Sequence, residues 1–255
     1  MARVRLLLPL VGVSLFLAAW QLGVSLSGTR MVPGPWAVVL AIGELTSRGL
    51  LFRYVVASLF RVTWGYLLAA LVAIPAGMAI GLMPRLEAAL NPLLQVMRPI
   101  SPLAWIPVAI LWFGVGDGAA VWLIFVASFF AILVAVVQGV HNVDAVHFNA
   151  GRNFGLSGVR LVTGVLLPAI LPQLIVGLRI ALGIAWLVVV AAEMVAVDPR
   201  SGGLGYLIID ARNAGKRYDL VVAGMVMIGL IGLALDALVR QVEKFDEVRW
   251  GYANK

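Results

Sequence analysis

Residues 141 to 197 read HNVDAVHFNAGRNFGLSGVRLVTGVLLPAILPQLIVGLRIALGIAWLVVVAAEMVAV. A polar, glycine-punctuated segment of about 25 residues runs directly into a long apolar one, in a chain whose other interhelical links are mostly short or apolar. The contrast marks a place where something outside a membrane docks. Val143, Val146, Phe148 and Phe154 alternate with Asp144, Asn149, Arg152 and Asn153 at spacings that suit a short surface helix, and Gly155 after Phe154 is a helix stop. Spacing alone leaves an ordinary cytoplasmic loop equally open.

Composition sets the class. Of 255 residues, 62% are hydrophobic and only 12% charged, and the mean hydropathy is +1.03. No ordinary water-soluble domain approaches these values, so the chain reads as an all-α polytopic membrane protein. The absence of cysteine removes disulfides and thiolate metal sites, and the two histidines both lie in the polar loop, so no metal centre is expected. The net charge of +7 comes from residues scattered between apolar spans, without the basic, aromatic-interleaved stripe of a nucleic-acid binder. No glycine-rich phosphate loop followed by Lys-Ser or Lys-Thr occurs, so an energised transporter would need a separate motor.

Several motifs in this order carry a resemblance. Asn149-Ala150-Gly151, Gly155 beyond Arg152, Leu167-Pro168 and Leu171-Pro172 are similar to the EAA signature of binding-protein-dependent ABC importer permeases, with Asn149 where Glu is usual and Gly151 where the second Ala is usual. Gly177-Leu178-Arg179, Trp186, Ala191-Ala192-Glu193-Met194, the run from Arg98 to Pro107 and Leu111-Trp112-Phe113-Gly114 resemble the nitrate, taurine and alkanesulfonate branch. The resemblance covers roughly residues 55 to 240. It implies a coupling helix contacting an ATPase through Asn149, Ala150, Gly151, Arg152, Gly155 and Pro168. It also implies a pair of such chains beside two ATP-binding subunits that hold ATP and Mg, fed by a periplasmic binding protein, with no cofactor and no enzymatic reaction in this chain. Glycine at position 151 costs about 1 kcal/mol in a helix relative to alanine, which predicts a less rigid coupling helix.

Read in order, the chain supports six spans. Met1 to Leu26 is long enough to cross a hydrocarbon core; a signal peptide is the alternative, and the length of the apolar run favours a retained helix. An external loop with an amphipathic helix around Trp36 to Leu45 follows, then Val55 to Met83, with Pro75, Gly77 and Gly81 suited to a bend or close packing. Leu86 to Phe113 holds Pro92, Pro99, Pro102 and Pro107 in about 28 residues, which predicts a break near Pro99 to Pro102; a proline-kinked packing helix is the other reading. Ala119 to Val140, Pro168 to Val197 and Asp219 to Val239 complete the set, with a re-entrant or interfacial segment at about 201–215. The domains are thus 1–54 (first helix and external loop), 55–240 (permease core, coupling loop about 141–165 between the fourth and fifth spans) and 241–255 (tail). An even number of spans puts both termini on one side, and placing them in the cytoplasm gives nine basic residues inside against seven outside. The expected location is the inner membrane.

Charges inside spans need partners or water. Arg179 and Glu193 are 14 residues apart, about 21 Å along a helix, so they cannot pair with each other; each pairs with another helix or one borders a pathway. Arg98, Pro99, Pro102, Trp105 and Trp112 are the candidate pathway residues, with interfacial anchoring or core packing as the alternative for the tryptophans. A secondary carrier would need coupling carboxylates, and only Glu193 sits well inside an expected span. An intramembrane enzyme would need a Ser/His or carboxylate pair that is missing from the spans. The expected solute is an oxyanion or sulfonate of the nitrate, taurine or alkanesulfonate type, with a vitamin precursor or other small organic solute as the alternative.

Overall fold

The computed structural model describes residues 2–28, 31–198, 200–215 and 217–242, so most of the tail read at 241–255 lies outside the described residues. Regular structure among them is helical throughout. In order, the helices are α1 (Ala2–Ser27), α2 (Pro35–Ser47), α3 (Leu50–Leu82), α4 (Pro84–Met97), a 3-10 turn (Pro102–Trp105), α5 (Ile106–Phe113), α6 (Asp117–His141) and α7 (Ala145–Asn153). There follow α8 (Gly158–Leu161), a π-turn (Val162–Leu166), α9 (Leu167–Val195), α10 (Leu204–Asn213) and α11 (Tyr218–Val242). Five helical stretches are long and apolar enough to cross a membrane, and the α4–α5 pair, bent by 87°, makes a sixth if counted as one broken span.

The core is a layer in which α6 lies between α3 and α9. Small residues let the backbones approach, since lipid offers no hydrophobic drive for helix association and close van der Waals contact must supply it. On α3 they recur every fourth position: Gly65, Ala69, Ala73, Gly77 and Gly81. A Cβ on Gly65 would stand 2.7 Å from Ile124, one on Gly77 2.8 Å from Val136, and one on Gly81 2.8 Å from Val140. From the other side, a Cβ on Gly177 of α9 would come within 2.2 Å of that of Ala135. Tyr66 donates to the Leu178 carbonyl (3.1 Å) and Trp186 to the Ile228 carbonyl (3.0 Å), so single polar side chains pin α3 to α9 and α9 to α11.

Proline chemistry breaks one span and leaves another intact. Helix α4 ends at Met97, and Pro99 and Pro102, lacking donors, leave a break in which Ser101 Oγ caps the 3-10 turn by accepting from the Leu103 N–H (3.3 Å). The break falls in the predicted stretch. By contrast, α3 is continuous across Pro75.

One boundary differs from the sequence expectation. The fifth span begins at Gly158 rather than Pro168: helical backbone continues through the π-turn, whose wider register accommodates the donor missing at Pro168. Of the two expectations for the segment at about 201–215, re-entrant or interfacial, inward packing suits the re-entrant one: α10 has Leu204, Leu207 and Ala211 buried, and a Cβ on Gly205 would stand 2.2 Å from the Val190 carbonyl oxygen. Helix α2 is amphipathic, burying Val38, Ala41 and Leu45 while Trp36, Val39 and Leu40 stay exposed, and is tied to the start of α11 by Arg217, which bonds Glu44 at 2.7 Å and Asp219 at 2.8 Å.

Candidate functional site

At the α6–α9 connection, Asp144 caps α7 by accepting from the Val146 N–H (2.9 Å). The helix ends at Asn153 in a Schellman arrangement: the Leu156 N–H reaches the Gly151 carbonyl (3.0 Å) and the Gly155 N–H the Arg152 carbonyl (2.9 Å). Gly155 has φ +78, a left-handed conformation that glycine adopts without steric cost. Gly151 faces inward, and a Cβ there would stand 2.7 Å from Leu161 Cδ1 and 2.9 Å from Val165 Cγ2. Glycine at 151 therefore seats α7 closely on the start of the following span. The opposite face, with Asn149, Ala150 and Arg152, is exposed, as are Val146, Phe154 (86%) and Val159 (77%). Pro168 is exposed just beyond the π-turn. A cleft of about 470 Å³ between Leu82, Phe148, Arg152 and Val159 adjoins this surface.

The pathway candidates divide into two groups. Arg98, in the α4–α5 break, lines a cleft of about 190 Å³ with Glu87, Asn91, Gln95, Gln138 and His141. With Pro102 it also lines a second, of about 390 Å³, beside Phe130, Gln138, Gln173 and Ile180. Pro99 is exposed in the break. Glu87, Asn91, Gln95 and Arg98 follow each other at helical spacing, giving α4 a polar stripe toward α6. Trp105 and Trp112 are elsewhere: both meet Trp122 edge to face, at 5.9 and 5.4 Å between ring centroids. An exposed Arg98 turned to hydrocarbon would cost about 2.5–3.5 kcal/mol on insertion scales, so this face of the molecule is covered by water or protein.

Two charge clusters join the spans. Arg61 of α3 and Glu193 of α9, each 1% exposed, pair at 2.6 Å, and Arg61 also contacts Asp117 of α6 at 2.7 Å. The second oxygen of Glu193 accepts from the Gly205 N–H (2.8 Å), and Ser58 Oγ accepts from the Leu204 N–H (3.0 Å). The first donors of α10, which no helical carbonyl can satisfy, are thereby taken up from two spans, and the carboxylate sits at the positive end of that helix. Arg179 contacts Asp236 of α11 at 2.8 Å, and Asp236 in turn pairs with Arg240 at 2.9 Å. Asp117, Gln138 and Gln173 were not singled out in the sequence: Asp117 meets Arg61 from 56 residues away, and Gln138 and Gln173 reach the same cleft from different spans, beyond the reach of local spacing. Among the described residues no group of three or more His, Asp or Glu side chains converges as for a metal ion.

A multi-span helical protein with a glycine-stopped helix projecting between two long spans, and a break in another span beside polar clefts, is a membrane permease in build. The chain belongs to the binding-protein-dependent transport system inner membrane component family, whose model matches residues 65–245. It is 37% identical to the bicarbonate transport system permease protein of Synechococcus elongatus, over 94% of this chain and 89% of that one. It is 36% identical to the nitrate import permease protein of the same organism, over 89% and 85%. One chain in inward-facing structures of the MetNI methionine ABC transporter is 22% identical, with a TM-score of 0.61 over 76% of this chain and 96% of that one, a likeness of fold. The protein is thus a multi-pass inner-membrane permease subunit of an ATP-driven importer, which works with a separate ATPase and a binding protein.

Proposed function

We propose that this permease imports a small oxyanion or sulfonate, handed over by a periplasmic binding protein. The observation that carries this reading is the identity of more than a third, across most of the chain, to permeases named for bicarbonate and nitrate. In this reading two copies of the chain stand over two ATPase subunits, with both termini and α7 on the cytoplasmic side. The exposed face of α7, with Asn149, Ala150 and Arg152, meets the ATPase, and the Gly151 contact transmits its movement to the fifth span. The broken third span borders the route of the solute, and nucleotide-driven closure of the ATPase pair changes the angle between the two copies.

The test is transport by the complete importer. Permease, ATPase and binding protein are reconstituted in liposomes, and ATP-dependent uptake of nitrate, bicarbonate and taurine is compared with that of neutral and cationic organic solutes. Uptake of one of the anions is expected. Uptake confined to a neutral or cationic solute would overturn the assignment of the solute while leaving the family intact.

A further inference from the structure

Arg61 and Arg179 each face a carboxylate across a helix interface. Arg98, the third arginine set away from the ends of the spans, makes no ion pair or side-chain hydrogen bond among the described residues. Its neighbour on the same stripe, Glu87, is 11 residues earlier, about 16 Å along the helix, and is engaged with His141 at 3.2 Å. Gln138 of α6 lines both clefts with Arg98, and Gln173 of α9 lines the larger one. Neither amide has a hydrogen-bond partner among the described residues. Three side chains rich in N–H donors, one of them permanently cationic, therefore border a wet or covered face inside the membrane with their hydrogen-bonding capacity unspent.

We propose that Arg98, Gln138 and Gln173 form a transient binding site for a small oxyanion at the break of the third span. The proposal rests on the oxyanion reading above and assigns it a place. The guanidinium fork suits two oxygens of a planar anion. The glutamine amides add donors, and their carbonyl oxygens can accept from a protonated oxyanion such as bicarbonate. One cation and two neutral amides hold an anion loosely, as passage requires, because a solute bound too tightly would not leave.

The complete importer in liposomes, supplied with saturating loaded binding protein, tests it with nitrate, bicarbonate and taurine as probes. Arg98→Gln is expected to lower uptake of the carried anion by about tenfold or more, as for loss of a charge-assisted hydrogen bond. Arg98→Lys, which keeps the charge without the fork, is expected to retain about a third or more. Co-purification with the ATPase checks assembly without reference to transport. Should Arg98→Gln fail to assemble, Gln173→Leu on the opposite wall replaces it, with an expected loss of about fivefold. Anion uptake within about twofold of wild type in the assembled variant overturns the site but not the oxyanion reading. Equal loss in Arg98→Gln and Arg98→Lys overturns it too, since keeping the cation would then restore none of the uptake. A wild-type importer that carries only neutral or cationic solutes removes the reading and the site together.

Discussion

Glu193 shows how much one residue can hold. Its carboxylate takes an arginine from α3 with one oxygen and the N-terminus of α10 with the other, so removing it strands a buried guanidinium with only the half-exposed Asp117 as counter-ion. Breaking a buried pair by deleting one partner costs about 3–5 kcal/mol. Glu193→Ala is therefore expected to lower yield and thermal midpoint in detergent sharply. Glu193→Gln, which keeps an acceptor for Gly205, is expected to lose less and to leave solute preference unchanged; a stable Glu193→Gln protein with altered preference would assign the carboxylate to the pathway. Glu44 gives a pH-dependent counterpart at the surface. Its hydrogen bond to Arg217 holds its carboxyl below the usual carboxylate range, so the link between α2 and α11 is fully present above the unfolded-state value and is lost as pH falls through the lowered folded one. Thermal midpoints of wild type and Glu44→Gln should converge on acidification through that window; a constant gap across it would remove Glu44 from the linkage.

At the scale of elements, α7 and the α6–α9 contact make the sharpest predictions. Gly155 is left-handed with open space around its missing side chain, so backbone strain rather than collision limits substitution there. Gly155→Asn, tolerant of that conformation, should preserve coupling, whereas Gly155→Val should loosen the end of α7 and reduce the stimulation of ATP hydrolysis by loaded binding protein, with membrane insertion unchanged. Undiminished stimulation in Gly155→Val would detach α7 from the ATPase. Gly177→Val meets the opposite limit: with 2.2 Å to Ala135 for even a Cβ, α6 and α9 must separate, and a fall of several degrees in thermal midpoint is expected; an unchanged midpoint would contradict the packing. The polar segment, the Gly155 stop and the break around Pro99 to Pro102 were legible because local chemistry writes them: alternating polar and apolar side chains, a glycine, prolines. Whether α10 packs inward or lies at an interface was not, because its short apolar stripe carries no mark of the covering spans, and the N–H groups it presents are met by Ser58, 146 residues away, and by Glu193 of the preceding span. Gly151 read as a loss of helix rigidity in sequence; in three dimensions it is a close approach to Leu161.

For the bundle as a whole, among the described residues every charge well inside a span except Arg98 is answered by a charge on a neighbouring helix, and Arg98, Gln138 and Gln173 line the clefts at the broken span. In the proposed reading, that division separates the parts that hold the bundle together from the face that borders the route of the solute. Sequence motifs conveyed the class of protein because they are short and ordered along the chain, whereas the pairing of Arg61 with Glu193 across 132 residues follows from the fold alone. The central claim is that an ATPase drives this bundle through α7. The chain has no cysteine, so Ala150→Cys on the exposed face of α7 and Trp36→Cys on α2 each introduce a unique thiol. Thiol-directed cross-linking of the assembled importer in membranes should join position 150, and not position 36, to the ATPase subunit, with a yield that changes when ATP is bound. Cross-linking from position 36, or an absence of product from position 150 in an importer that still transports, would contradict the account.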